Sequence, residues 1–551
     1  MKETMFNRTK LLNYFRQRDR GWILSLLAAV CIVYLPFLGN PFVFDDTNFF
    51  LGDNADYYAH AMFHFDLRWL PYASMGWTYA IFSDLQPHFY RLGSVLLHAA
   101  NAIALFYLLR QLIGAITPDN RNSPEAVWGA WFGALIFALH PVAVYAAGYM
   151  IQRSILMATL FALLMQLAYL RGLLTGQKRW LALAVLAYFL ACFSKEHSVL
   201  LPAVLAALTI LLHDKSQASR TVLWVTWSAF VAIGVFVVLR AKGVFGSPYE
   251  VGAAALFEQQ GIVESTPMLH LLSVLTQAGL FFKYLLLWWI PNPAWMSVDM
   301  RESIVTSIGD WRGWPGATVF LAYGLVAFRL LLRRSATGLV GFALLYPWLQ
   351  FWLEFSSIRI QEIFVLYRSY LWLPGMALLV PLLLAKYPGK KMLLALGFTV
   401  LLLLSLSVNR LWVFADEYRL WDDAAKLLRS GEEPLASRVF YNRARAEANL
   451  GKWGTAVIDY EKAIARHFKV DPIMLHDLGV AYFNMGRYQD ALVQFDKTIA
   501  LDPKYAKAYF DKGMTLKKLH QDDLAMRQME KSCELKNAVA CVIVKLAPPK
   551  K

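Results

Sequence analysis

A succession of long apolar segments most narrows what this chain can fold into. They lie at about residues 21–43, 92–111, 127–149, 154–171, 180–193, 198–212, 221–240, 316–332, 338–355, 371–385 and 391–409. Most approach the ~20 residues that an α-helix needs to cross a bilayer, and flanking residues extend the shorter ones. Lipid gives backbone groups no hydrogen-bond partner, so such segments span only as helices. A hydrophobic content of 58% over 551 residues exceeds what a soluble protein of that length needs. The first segment is too long for a signal-peptide core, and no small-x-small site precedes the acidic pair after it. It is expected to remain as a span.

Charge orients these segments. Lys2, Arg8, Lys10, Arg16, Arg18 and Arg20 precede the first, which holds its start in the cytoplasm. Arg110, Arg171, Lys178, Arg179, Lys215, Arg220, Arg333, Arg334, Lys386, Lys390 and Lys391 fall at alternate ends of the later ones. One further apolar stretch, Leu271–Ile290, would turn Arg333 and Arg334 outward if it crossed. It is read as a re-entrant or interfacial helix inside an outer region of about 241–315. The expectation is about eleven spans, with the N-terminus inside and the C-terminus outside. The net charge of +15 follows from these basic loops. No basic run with interleaved stacking aromatics suggests nucleic-acid binding.

Polar chemistry concentrates in the outer loops. The first, about 44–90, holds Asp45, Asp46, Asp53, Asp56, His60, His64, Asp66, Arg68, Asp84 and His88, with Arg91 at its end. The second turn has His140, Pro141, Tyr145, Tyr149, Gln152 and Arg153. The third is Ser194-Lys195-Glu196-His197, and the last, about 356–371, has Arg359, Glu362, Tyr367, Arg368 and Tyr370. The adjacent carboxylates of Phe44-Asp45-Asp46-Thr47 sit where the first span emerges. Charged groups there need a partner, a substrate or a metal. The plainer readings are a solvated acidic loop or a helix N-cap. No cluster has the spacing of a zinc site, and no Walker-type phosphate loop occurs.

After Val408 the chain turns polar, and a repeat of about 34 residues appears, the period of tetratricopeptide repeats. The clearest copy is Leu475, Leu478, Gly479, Tyr482, Gly486, Tyr488, Ala491, Phe495 and Pro503. Tyr509, Gly513, Leu516, Ala525 and Met529 follow it, and Phe440, Ala444, Gly451, Trp453, Ala456, Tyr460 and Ala463 form a looser copy before it. A degenerate half-repeat surrounds Trp421 and Ala425. The fold class is therefore all-α, with a polytopic transmembrane helical domain over 1–409 and a soluble tetratricopeptide-repeat α-solenoid over 410–551.

Five stretches, in this order and at these loop positions, resemble a known family. They are Phe42-Val43-Phe44-Asp45-Asp46, Tyr90-Arg91-Leu92, Phe137-Ala138-Leu139-His140-Pro141-Val142, Phe193-Ser194-Lys195-Glu196-His197 and Tyr367-Arg368-Ser369-Tyr370-Leu371. With the repeats, the chain is similar to the transmembrane O-mannosyltransferases that carry tetratricopeptide repeats. These belong to the polytopic glycosyltransferases that use lipid-linked sugars (GT-C type). In that family acidic residues usually follow the His-Pro motif. Here Tyr145 and Gln152 stand there, which leaves the sugar and any metal role open, while Arg153 is retained.

The resemblance implies roles. Asp45 becomes the base that activates an acceptor hydroxyl, and Asp46 positions the acceptor or a divalent cation, the one cofactor considered. Arg368 and Arg91, then Arg153 and Lys195, are candidates for the donor phosphate, because a guanidinium fork suits that group. Interfacial snorkelling is the alternative for the arginines. His140, Glu196, His197, Glu362 and Tyr370 are candidate substrate contacts. Lys195 and Glu196 instead have the option of neutralising each other, and Glu362 of pairing with Arg359 or Arg368. Cys31 and Cys192 lie in apolar segments. Cys533 and Cys541, with Asn537 between them, suit a bridge like that of Sel1-like repeats. Such a bridge needs an oxidising compartment, and a reduced pair stays open.

The expected activity is inverting transfer of a sugar from a polyprenyl phosphate or diphosphate to a protein or glycan hydroxyl. The expected site is the periplasmic face of a bacterial inner membrane, with the acceptor held by the periplasmic repeats. The alternatives are a non-enzymatic repeat scaffold for envelope or pilus assembly, and a transporter of the lipid-linked sugar.

Overall fold

A computed structural model describes the chain except residues 1–2, 51–53, 61–65, 84, 118–122, 242–245, 249–256, 259–260, 361, 430, 432, 434, 467–470 and 547–551. Asp53, His64 and Asp84 fall outside the described residues. Those described are almost entirely helical, and β-pairing among them is limited to an isolated bridge between Pro248 and Ile358. The chain forms two compact units, 1–298 with 304–416 and 299–303 with 417–551.

The first unit contains α1 (Glu3–Tyr34), α2 (Pro87–Ile116), α3 (Pro124–Leu139), α4 (Pro141–Ala147), α5 (Arg153–Thr175), α6 (Lys178–Ser194) and α7 (Leu201–Leu211). It continues with α8 (Arg220–Arg240), α9 (Thr266–Trp289), α10 (Gly313–Leu331), α11 (Ala336–Phe351), α12 (Leu373–Ala377), α13 (Leu379–Lys386) and α14 (Lys390–Val413). Local signals set the ends. Pro87, Pro124 and Pro141 begin helices, where their missing N–H costs nothing. Ser123 caps α3 by accepting from Ala126 N at 3.2 Å. Gly176, at φ +68°, ends α5 in the left-handed conformation glycine tolerates.

Among the described residues, eight helices are long and apolar enough to cross a membrane, and a ninth if the pair α3–α4, bent by 61° at His140, is one span. Glu196–Leu211 and Leu373–Lys386 are shorter apolar helices, and α6 has 17 residues. Every expected segment is thus helical; Lys195 separates 180–193 from 198–212, and Leu378 breaks 371–385.

Basic loops gather at one end of this unit. Arg110 pairs with Asp19, Arg334 with Asp214 at 2.9 Å, and Lys215 donates to the Ile116 carbonyl at 3.1 Å. α9 has the length of a span, yet its direction differs from simple alternation. A Cβ on Gly313 would touch Leu275, and one on Gly316 would lie 2.9 Å from Gly279 Cα. Further along, Phe281 meets Phe320 and Tyr323. Contacts therefore advance in the same direction on both helices, and α9 and α10 run parallel. Two consecutive parallel helices require the chain between them to return. Met296 in that return accepts from Arg410 of the last turn of α14 at 3.0 Å.

The second unit stacks helix pairs: α15 (Glu417–Lys426), α16 (Ala436–Asn449), α17 (Trp453–Ala465), α18 (Pro472–Asn484), α19 (Tyr488–Leu501), α20 (Ala506–Lys518), α21 (Asp522–Glu534) and α22 (Ala538–Leu546). Gly479 lets α18 approach the Phe495 ring, where a Cβ would come within 2.6 Å. Ala444, Ala456, Tyr460, Leu478, Tyr482, Ala491 and Phe495 form the buried seam. Trp421 is buried in α15. Cys533 and Cys541 are joined as a disulfide between α21 and α22, Cα to Cα 4.6 Å.

The parallel course of α9 and α10 makes a topological prediction. Single cysteines at the exposed positions Val263 and Ser307, which flank α9, should react with a membrane-impermeant maleimide from the same side. Reaction from opposite sides would mean that α9 crosses.

Candidate functional site

The short turn 149–154 joins two polar clusters at the end of the first unit opposite its basic loops. The Tyr149 hydroxyl accepts from Asp45 N at 3.1 Å. Ile151 N donates to Asp46 Oδ1 at 2.8 Å. Gln152 Oε1 accepts from Lys195 Nζ at 3.1 Å, and Ser154 Oγ lies 3.4 Å from the same ammonium. One turn therefore touches the acidic pair with its first half and a buried lysine with its second.

The adjacent carboxylates have different environments. Asp46 is fully buried at the start of the short helix Asp45–Phe50, whereas Asp45 is half-buried. Burial pushes the Asp46 carboxyl up to about 7, against the lowering effects of Arg91 and the backbone N–H groups around it. The Tyr149 hydroxyl is raised well above its usual range by burial and by Asp45, Asp46 and Tyr367 nearby.

The second cluster is cationic on balance. Lys195, 2% exposed, has the neutral Gln152 and Ser154 as hydrogen-bond partners and the Tyr367 ring 4.9 Å away. Burial, then the positive charge of Arg68, lower its ammonium to about 7; Glu196 works against this and Arg368 adds to it. Arg68 forks onto Glu196. Glu354, 1% exposed, receives Arg359 at 3.1 Å and Arg368 at 3.0 Å, and His197 Nε2 lies 3.9 Å from it. Arg368 also reaches Glu362. Lys195, Arg68, Arg359 and Arg368, with His197 beside them, thus surround three carboxylates, an arrangement suited to an incoming anion. Helices α7, α10 and α11 border an apolar groove of about 460 Å³ lined by Ala203, Ala207, Gly324, Phe328 and Trp348.

The tetratricopeptide repeat family matches residues 473–505 and 506–538. Protein O-mannosyl-transferase TMTC4 of Homo sapiens is 25% identical over 424 residues, 70% of this chain and 55% of that protein. The resemblance to the repeat-carrying O-mannosyltransferases holds. The chain spans about half the length of this human relative. Tetratricopeptide repeat protein 28 of Mus musculus is 34% identical over 106 residues, 18% of this chain and 4% of that one. The crystal structure of MamA is 21% identical over 29% of this chain and 85% of its own, with a TM-score of 0.20. The candidate spans and the human relative together make this a multi-pass membrane protein.

Several expected site residues serve elsewhere. Arg91 is buried and donates to the carbonyls of Asn40, Pro41 and Gly148, so it clamps the first outer loop and is not available to a phosphate. Arg153 donates to Ser74 Oγ and the Tyr90 carbonyl, another clamp. His140 caps α4, its Nδ1 accepting from Val142 N at 3.2 Å while Nε2 meets the Trp288 carbonyl. Tyr370 lies in the core, its hydroxyl 2.7 Å from His98 Nδ1. Lys195, Glu196, His197, Glu362 and Arg368 do come together. Among the described residues no group of three His, Cys, Asp or Glu side chains is placed to hold a metal ion. Asp45 and Asp46 alone fit a cation poorly, since Asp46 Oδ1 is committed to Ile151 N.

Glu354 escaped the sequence reading because it sits in the tail of an apolar segment, yet a carboxylate there is itself a signal. Glu354→Ala would leave Arg359 and Arg368 facing a buried void, at a cost of about 3–5 kcal/mol. The melting temperature of the purified protein should fall accordingly, and less for Glu354→Gln. An unchanged melting temperature in Glu354→Ala would show that this ion cluster does not hold the loops.

Proposed function

We propose that this chain is a membrane glycosyltransferase that moves a sugar from a polyprenyl-phosphate-type lipid to a hydroxyl of a protein or glycan. The observation that carries this reading is the turn 149–154, which links the half-buried carboxylate of Asp45 to the buried ammonium of Lys195. The human O-mannosyl-transferase relative supports the reaction class. In this reading the apolar groove along α7 and α10 takes the donor's apolar tail.

In this reading Asp45 takes the acceptor hydroxyl's proton as that oxygen attacks the anomeric carbon. The bond from that carbon to the donor phosphate breaks on the opposite face, and configuration inverts. Lys195, with Arg368 and Arg68 close by, meets the charge that gathers on the leaving phosphate. Asp46 anchors the loop that presents Asp45. No step passes through a metal. The repeats hold the acceptor, in the manner of solenoids that bind extended segments. In this reading the N-terminus is cytoplasmic and the site and repeats lie on the opposite face, as the basic loops favour, which is the periplasmic face of a bacterial inner membrane.

Asp45→Asn keeps size and most hydrogen bonding but removes the base. Transfer should drop by about 10²–10⁴-fold with donor binding intact. Near-normal transfer would eliminate Asp45 from that role. Lys195 supplies a second test through pH. Its charged form is lost as pH rises through about 7, so donor affinity should weaken from pH 6 to 8.5. Lys195→Arg should flatten that dependence, and Asp46→Asn should not. A pH-independent donor affinity in the unaltered protein would count against Lys195 as the phosphate contact.

A further inference from the structure

The lipid-facing surface carries a second feature that the transferase reading does not use. Between α5 and α6 runs an apolar groove of about 430 Å³, lined by Phe161, Leu164, Leu186 and Leu190, with Tyr107 of α2 on one wall. The helices are antiparallel, with Gly172 packed on Leu181, so Arg171–Trp180 marks one end and Phe161–Leu190 the other. Ten residues of helix rise about 15 Å. That is roughly half of the ~30 Å hydrocarbon thickness, the depth of one leaflet.

The mouth is cationic and ordered. The Arg171 guanidinium lies 4.3 Å from the centroid of the Trp180 ring, and Arg179 5.5 Å from the same ring. Gln177 Oε1 accepts from Arg179 Nε and Trp180 Nε1, each at 3.1 Å, which fixes both at the groove's edge. Lys178 is exposed beside them, and the turn 175–179 has no carboxylate. Three other cations at this end have partners: Arg110 has Asp19, Arg334 has Asp214, and Lys215 has the Ile116 carbonyl. Among the described residues, Arg171, Lys178 and Arg179 are paired with no carboxylate.

We propose that this groove binds an anionic glycerophospholipid of the leaflet at the basic end. Its phosphate lies against Arg171 and Arg179, and an acyl chain follows the groove. Charge complementarity selects the head group, since basic pockets between membrane helices favour acidic lipids. The one-leaflet depth selects a lipid over a soluble anion. The proposal is independent of the transferase reading.

Native mass spectrometry of the full chain, titrated with phosphatidylglycerol or phosphatidylcholine, tests it. Phosphatidylglycerol should be retained preferentially. Replacing Arg171 and Arg179 by Gln should weaken its retention by about fivefold per residue, the worth of one basic group near an acidic lipid. Lys390→Gln with Lys391→Gln, at the same end, should change nothing. Leu186→Trp fills the groove while leaving both arginines, and should also lose the lipid. Equal retention of the two lipids overturns the proposal. So does equal loss in the lysine pair, or full retention in Leu186→Trp.

Discussion

The bond from Ile151 N to the buried carboxylate of Asp46 ties together two loops more than a hundred residues apart. Burying that carboxylate is costly, and the cost is met by backbone N–H groups and by Arg91 close by. Arg91 in turn holds the carbonyls of Asn40, Pro41 and Gly148, so both loops are fixed from two sides. Tyr149 and Gln152 are carried on the same turn. Where Asp45 and Lys195 sit relative to each other therefore follows from where Asp46 is anchored.

The second constraint is electrostatic. Glu354 gathers Arg359 and Arg368 in a region with almost no solvent contact, and Arg68 covers Glu196. A buried pair of this kind roughly balances its own desolvation, so its use lies in geometry more than in stability. What differs is Lys195, whose ammonium has amide, hydroxyl and aromatic neighbours. The depression of that ammonium to about 7 expresses a positive charge poorly compensated in its present state. An anion arriving there would restore the charge, which couples binding to proton uptake.

Much of the fold was legible because apolar length and repeat period are one-dimensional signals. The helices at 92–111 and 391–409 and the copies at Gly479 and Gly513 follow from spacing alone. The course of α9 was less accessible. Its length reads as a span; the charge of Arg333 and Arg334 argued against a crossing, and the parallel packing on α10 through Gly279 and Gly316 gives the course of the chain. Among site residues, the sequence placed Lys195, Glu196 and His197 in one outer loop and Glu362 and Arg368 in another, and the fold brings the two loops together. Arg91 and Arg153, expected at a phosphate, donate to backbone carbonyls instead, while His140 caps a helix and Tyr370 lies in the core. An arginine that clamps carbonyls and one that binds phosphate look alike in sequence, because both need the same fork of donors near a turn.

The acidic pair shows how burial divides neighbouring residues of the same type. Asp46 faces the protein, its carboxyl pushed up to about 7 by burial and one oxygen held by Ile151 N. Asp45, one residue earlier, begins the short helix in a half-buried position against the Tyr149 hydroxyl. Successive residues at the start of a helix point about 100° apart, so one faces inward and its neighbour does not. A base must meet its substrate, whereas an anchor must avoid water. The first turn of that helix meets both requirements with adjacent aspartates, and exchanging their environments would lose both functions at once.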